Sequence, residues 1–146
     1  MLAGFSYLSD EGLCVEYDTG IVTPYPKPIS LAPWSRSALG LGDRSTNGSV
    51  FEVAYSMSEL GGRLGEPGPL TDIMFPTYSE HLEPEIRPIA RSAAQARLLK
   101  LSFNHYKHPE KAFRLSSDLV RSADCSEFTY SDPLKAARFL KDHLSS

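Results

Sequence analysis

The segments "HPEKAFRLSSDLVRSA" (residues 108–123) and "DPLKAARFLKDHLSS" (residues 132–146) decide the fold class that the sequence predicts. Each begins with a polar residue that can cap a helix, followed by a proline at the first helical position, where its missing N–H is of no consequence. Lys, Ala and Arg then recur at the same offsets in both segments. The pattern predicts two helices, over residues 109–122 and 133–144.

A third helix is predicted immediately before this pair, over residues 86–105, with Pro88 in its first turn. Its apolar residues fall near one helical face: Ile86, Ile89, Ala90, Ala93, Ala96, Leu99 and Phe103. An alternative for residues 98–120 is a β-hairpin with "HPEK" as its turn, because Leu99, Leu101 and Phe103 also alternate. The helical interpretation assigns residues 85–146 to a helical part of the protein.

The sequence patterns that predict structure in the N-terminal half are shorter than the helical patterns of the C-terminal half. Residues 1–19 are assigned to a β-hairpin, since "GFSYLSDEGLCVEY" (4–17) alternates on both sides of the turn cluster "SDEG". Residues 20–48 are rich in proline and glycine, with prolines at 24, 26, 28 and 33. Because proline donates no hydrogen bond and favours extended geometry, this segment is predicted to be an ordered, extended arm.

The segment 49–84 is ambiguous. Ser49 and Glu52 fit a capping box at the start of a helix that ends at Gly61, yet Phe51, Val53 and Tyr55 alternate as in a strand. The helix is preferred, and loops with one short strand at 73–75 follow. The resulting fold class is a single α+β domain, 1–146, in which the hairpin and the arm pack on three to four helices, mostly C-terminal.

Composition excludes several classes of function. The formal net charge is −3 over 146 residues, which is the wrong sign for general attraction to phosphates, so no nucleic-acid partner is expected. No run of 18 apolar residues predicts a membrane span, and the N-terminus does not read as a secretory signal. Cys14 and Cys125 make no disulfide framework, and a reducing cytoplasm (the host cytoplasm for a viral protein) is the expected location.

Cys125 is the candidate nucleophile. "DCSEF" (124–128) resembles the cysteine elbow of the NlpC/P60-type papain-like hydrolases. The resemblance implies that the cysteine opens a helix, whose dipole favours thiolate, and that a histidine acts as base. His105 is the candidate for that role, although a base placed before the cysteine implies a permuted relative. The preferred interpretation is an ordinary buried or half-buried thiol in the connector between two helices.

Three other groups of residues were candidates for binding. His105 and His108 could share a metal ion with His81 or Asp118, but a surface position for His105 and a helix cap for His108 are preferred, so no metal and no cofactor is predicted. "GLGDRSTNGS" (40–49) lacks the ending of a phosphate loop and is interpreted as a turn-rich surface loop. Trp34, Arg36 and Arg44 could form a contact patch, whereas the preferred role of Trp34 is a core anchor for the arm.

These observations favour a binding protein over an enzyme. The predicted function is non-enzymatic protein–protein interaction: an adaptor, an inhibitor or antitoxin-type neutraliser, or a viral or phage accessory or assembly component. A protein partner or self-association is expected. The alternatives are a papain-like thiol hydrolase with Cys125 as nucleophile and His105 as base, and a small-ligand pocket between sheet and helices.

Overall fold

A computed structural model describes residues 4–42, 52–103 and 105–145. In chain order the described elements are β1 (Cys14–Val15), β2 (Ile21–Thr23), β3 (Ile29–Leu31), α1 (Pro33–Ala38), β4 (Val53–Tyr55), β5 (Gly68–Pro69), β6 (Asp72–Tyr78), β7 (Glu85–Pro88), α2 (Arg91–Leu101), α3 (Pro109–Ser122), β8 (Asp124–Tyr130) and α4 (Pro133–Leu144). Strands and helices are both present, so the predicted mixed α+β class is confirmed. The chain divides into two compact units, Met1–Cys14 with Pro24–Glu66, and Val15–Thr23 with Pro67–Ser146.

The first unit is built on short strands. Strands β3 and β4 pair antiparallel, with Ser30 opposite Ala54. Tyr7 forms an isolated parallel bridge with Leu64, in which the Tyr7 N–H donates to the Arg63 carbonyl at 2.9 Å. Because strands of three residues bury little surface, only Tyr55 and Arg36 of this unit are buried among its described residues.

The second unit is organised around β8, the central strand of the sheet β6-β8-β7. Strand β8 runs parallel to β6, with Ile73 opposite Cys125, and antiparallel to β7, with Pro88 opposite Ser126. The two helices α2 and α3 lie in the connection between the parallel strands. A second sheet, β1-β2-β5, holds Val22, which is buried.

Both faces of β8 are covered, because alternate residues of a strand point to opposite sides. On one face Cys125 packs with Ile73, with Ala94 of α2, with Val120 of α3 and with Ala123, the residue that follows α3. On the other face Phe128 stacks on Phe139 of α4, with ring centroids 6.1 Å apart. A central strand enclosed in this way loses the polar–apolar alternation that marks a half-exposed strand.

Two of the three C-terminal helix predictions are confirmed, since α3 and α4 occupy residues 109–122 and 133–144. The prediction for 86–105 is wrong at its start: residues 85–88 form β7, and α2 begins at Arg91 and ends at Leu101. The alternative hairpin over 98–120 is also wrong. Strand β8 was not predicted, because the sequence pattern of residues 124–130 indicates a connector between two helices.

The N-terminal predictions need larger corrections. Strand β1 lies beside β2 and not beside residues 5–7, and the turn between them is closed by Gly20, whose φ of 69° favours glycine. The arm is not a continuous extension, since it contains β2, β3 and α1. The helix preferred for 49–60 is wrong where it is described, because residues 53–55 form a strand; residues 49–51 lie outside the described part. The short strand at 73–75 is confirmed and extends over Asp72–Tyr78.

Prolines explain part of the difference between the predicted and the observed strands. Pro69, Pro76 and Pro88 lie in β5, β6 and β7, and each of these strands is at the edge of its sheet. An edge strand leaves every second N–H without a partner in the sheet, so a proline there need not remove a ladder hydrogen bond. The same prolines discourage pairing of the open edges with another chain.

None of the helices in the described ranges has both the length and the apolar character needed to cross a bilayer.

Candidate functional site

Cys125 occupies the second position of β8, which is the opposite of the helix start that the resemblance to NlpC/P60 hydrolases implies. The side chain is buried, and its thiol donates a hydrogen bond to the Ala123 carbonyl at 3.6 Å. Burial raises the pKa of the Cys125 thiol, because the thiolate would lose its hydration; Arg91 opposes this shift and Asp124 adds to it. A nucleophilic cysteine needs the reverse shift.

Glu127, the neighbour of Cys125 on the same face of β8, is engaged elsewhere. It forms an ion pair with Arg97 of α2. The Arg97 guanidinium also lies over the Phe75 ring, 5.1 Å from its centroid, and Phe75 is opposite Glu127 in the sheet. The Arg97–Glu127 ion pair therefore links α2 to the sheet, and it provides no general base for the Cys125 thiol.

The histidine candidates lie in the connection between α2 and α3. His105 is exposed, and its Nδ1 is 2.8 Å from the Ser102 carbonyl oxygen. His108 occupies the cap position of α3, as predicted, but its side chain makes no capping hydrogen bond. Within residues 4–42, 52–103 and 105–145, no cluster of three or more His, Cys, Asp or Glu side chains could hold a metal ion.

Trp34 and Arg36 of the predicted contact patch both lie on α1 and differ in exposure. Trp34, on α1, is 68% exposed, so its preferred role as a core anchor is wrong. Arg36, two residues further on the same helix, is only 5% exposed, because side chains two positions apart on a helix point in different directions. Arg44 lies outside the described residues.

An open cavity of about 400 Å³ is present in the first unit. It is lined by two prolines, two serines, a glycine and three longer side chains: Pro26, Lys27, Pro28, Ser56, Met57, Ser58, Gly62 and Leu64. The Lys27 ammonium at its wall is paired with Glu11 at 2.5 Å. This cavity is lined by loop and turn residues and by Leu64 of the isolated bridge, in contrast to the predicted ligand pocket between sheet and helices.

A different surface has the properties of a binding site. Four large apolar or aromatic side chains are exposed where α2 ends and α3 begins: Leu101 at 67%, Phe103 at 74%, Tyr106 at 69% and Phe113 at 56%. We call these four side chains the turn surface. Soluble proteins rarely leave so many large apolar groups exposed together without a binding role.

The α2–α3 pair holds these four residues at one end of a helical hairpin. Gln95 of α2 donates from Nε2 to the Phe113 carbonyl and to the Ser116 hydroxyl of α3, each at 3.3 Å. Leu101 is the last residue of α2, and Phe103 and Tyr106 belong to the connection that follows. The turn surface is therefore formed by Leu101 and Phe113 on two packed helices and by Phe103 and Tyr106 in the short connection between them.

This surface was not predicted, because the sequence pattern extends the third predicted helix to residue 105. That assignment placed Phe103 on the buried helical face, together with Leu99. The signal that could have revealed the surface is the sequence "KLSFNHYKH" (100–108), in which apolar residues alternate with basic and polar ones and form no helical stripe.

Comparison of the chain with models of known protein families, with curated proteins and with solved structures finds no significant match.

Proposed function

We propose that the protein is a non-enzymatic protein-binding module and that the turn surface is where its partner docks. The observation that carries the proposal is the exposure of Leu101, Phe103, Tyr106 and Phe113 at one end of a packed helical hairpin. Aromatic side chains are typical binding hot spots, because they bring a large apolar area with few rotatable bonds.

The available area is adequate for a specific interface. A Phe or Tyr side chain can bury about 150–250 Å². At the exposed fractions of Phe103, Tyr106 and Phe113, these rings offer roughly 300–500 Å², against about 800 Å² buried by each partner in a standard interface. Leu101 and the neighbouring polar residues would contribute the remainder.

The hydrolase alternative has weaker support. The Cys125 thiol is buried in a strand, and its pKa is raised, so little thiolate forms near neutral pH. The two free thiols are consistent with a reducing compartment, and we place the binding function in the cytoplasm.

The test compares two double variants. In F103S/Y106S the turn surface loses two rings that lie outside helices and strands. In the control, L13S/Y25S, two side chains of 51% and 54% exposure are removed, also outside helices and strands. Both proteins should melt within about 2 °C of the unaltered protein, since exposed substitutions change stability by less than about 0.5 kcal/mol.

Tagged versions of the three proteins are expressed in the native cell, and complexes are resolved by size-exclusion chromatography. We expect a complex of fixed stoichiometry with the unaltered protein and with L13S/Y25S, and its loss with F103S/Y106S. Retention of the complex by F103S/Y106S, or a monomer with all three proteins, contradicts the proposal.

A further inference from the structure

The charge of the chain is unevenly distributed, and the turn surface lies in a basic stretch of the sequence. Residues 100–114 contain four of the 15 Lys and Arg residues and one of the 18 Asp and Glu residues, a net charge of +3. The other 131 residues contain 11 basic and 17 acidic residues, a net charge of −6. A basic segment on an otherwise acidic protein indicates a local electrostatic function.

The basic side chains are interleaved with the apolar ones and share their exposure. Lys100, Lys107, Lys111 and Arg114 are all exposed. Lys100 precedes Leu101, Lys107 follows Tyr106, and Arg114 follows Phe113. The Lys111 ammonium lies 5.7 Å from the centroid of the Tyr17 ring, which is not one of the four side chains of the turn surface.

We infer that the turn surface binds an acidic protein segment that carries apolar side chains, an inference that rests on the proposed function. The apolar side chains of such a segment would pack on Leu101, Phe103 and Phe113, while its carboxylates would pair with Lys100 and Lys107. Charge complementarity at the rim would set the rate of encounter and the choice of partner, and the rings would supply most of the affinity.

The same chemistry disfavours two larger polyanions. A nucleic acid or an anionic membrane extends beyond the turn surface and would also meet the rest of the second unit, which holds seven basic and eleven acidic residues outside 100–114, a net charge of −4. Repulsion from exposed charges acts over about 8 Å at physiological salt, so it penalises an extended polyanion more than a short segment that covers only the hairpin end. For a second copy of the chain to bind the turn surface, that copy would have to present an acidic surface to it.

Binding is measured by fluorescence anisotropy with labelled peptides of about 16 residues, long enough to cover a helix end. The first peptide repeats Glu-Leu-Asp-Phe, the second has Lys in place of each acidic residue, and the third has Ser in place of each apolar residue. We expect the first to bind with a Kd on the order of 10 µM and the other two at least about tenfold more weakly.

Charge-reversal variants locate the binding site. K100E/K107E should weaken binding of the first peptide by about tenfold or more, and F103S/Y106S should do the same. R138E/K141E makes the same change of net charge on α4, at two other exposed residues, and should change the Kd by less than about threefold. Binding should also weaken as salt rises from about 50 to 200 mM.

The outcomes separate the inference from the proposed function. If the cellular complex is lost in F103S/Y106S but survives in K100E/K107E, the protein-binding function stands and the acidic partner is wrong. Tighter binding of the Lys peptide, of an oligouridylate or of phosphatidylserine vesicles also overturns the inference. Concentration-dependent dimerisation that F103S/Y106S abolishes would identify the occupant as a second copy and would equally overturn it.

Discussion

Two substitutions of the same kind, Phe128→Ala and Phe103→Ala, compare a ring of the core with a ring of the turn surface, on which both proposals depend. Phe128 is 4% exposed on the central strand, whereas Phe103 is 74% exposed at the hairpin end. Both substitutions remove the same atoms from the folded protein. Any difference between the two losses of stability therefore reports the environment of the ring.

The expected difference follows from burial and ring contacts. The Phe128 ring stacks on Tyr130 and Phe139, with centroids 5.5 and 6.1 Å away. Loss of a buried Phe side chain costs about 3–5 kcal/mol, of which each ring pair accounts for about 0.5–1.5 kcal/mol. Loss of an exposed ring changes stability by less than about 0.5 kcal/mol.

The free energy of unfolding is measured by urea titration, followed by circular dichroism at the helix band. For a chain of this size the Phe128→Ala loss corresponds to a fall in Tm of roughly 6–20 °C, at about 2–4 °C per kcal/mol. Phe103→Ala should leave Tm within about 2 °C of the unaltered protein. Losses of equal size in the two variants would refute the assigned burial, and with it the turn surface.

Three further predictions concern single residues. Trp34→Ala should lower Tm by no more than about 2 °C, because the side chain is 68% exposed; a fall near 10 °C in a thermal melt would restore the core-anchor role. In a Cys14→Ser protein, iodoacetamide should alkylate Cys125 with a pH midpoint above that of an ordinary thiol near 8.5, since burial raises its pKa, and a midpoint below about 7 would favour the hydrolase. The pKa of Asp132 is lowered by hydrogen bonds from the Lys135 and Leu134 N–H groups, so its charge stabilises the fold above about pH 4 and ceases to do so as the pH falls through the lowered value. The stability advantage over Asp132→Asn should accordingly shrink in acid, and an advantage independent of pH from 7 to 2 would be the wrong outcome.

The local sequence was sufficient to predict α3 and α4, because the residues that start each helix are neighbours in the chain. Asp132 accepts hydrogen bonds from the N–H groups of Leu134 and Lys135, at 2.7 and 2.9 Å, and Pro133 then starts the helix without losing a hydrogen bond. His108 and Pro109 supply the same start for α3, although the His108 side chain makes no cap hydrogen bond. The mixed α+β class followed from the same local signals.

The central sheet could not be predicted in this way. The sequence of β8, "DCSEFTY", has no alternation because Cys125 and Ser126 are both buried, one on each face. Its partners β6 and β7 contain prolines, which local analysis assigns to loops or helix starts. Only the position of those strands at the edges of the sheet makes Pro76 and Pro88 acceptable.

The candidate site residues show the same difference between what the sequence predicts and what the tertiary structure decides. The sequence alone identified Cys125 and Trp34 as chemically notable residues and showed that the two thiols are isolated. Whether a side chain is buried depends on which segments pack over it, and tertiary structure reversed the expected place of three residues: it put Cys125 in a strand, left Trp34 exposed and ended α2 before Phe103. Composition and spacing fix the chemistry that a residue can offer, while packing decides whether solvent or a partner can reach it.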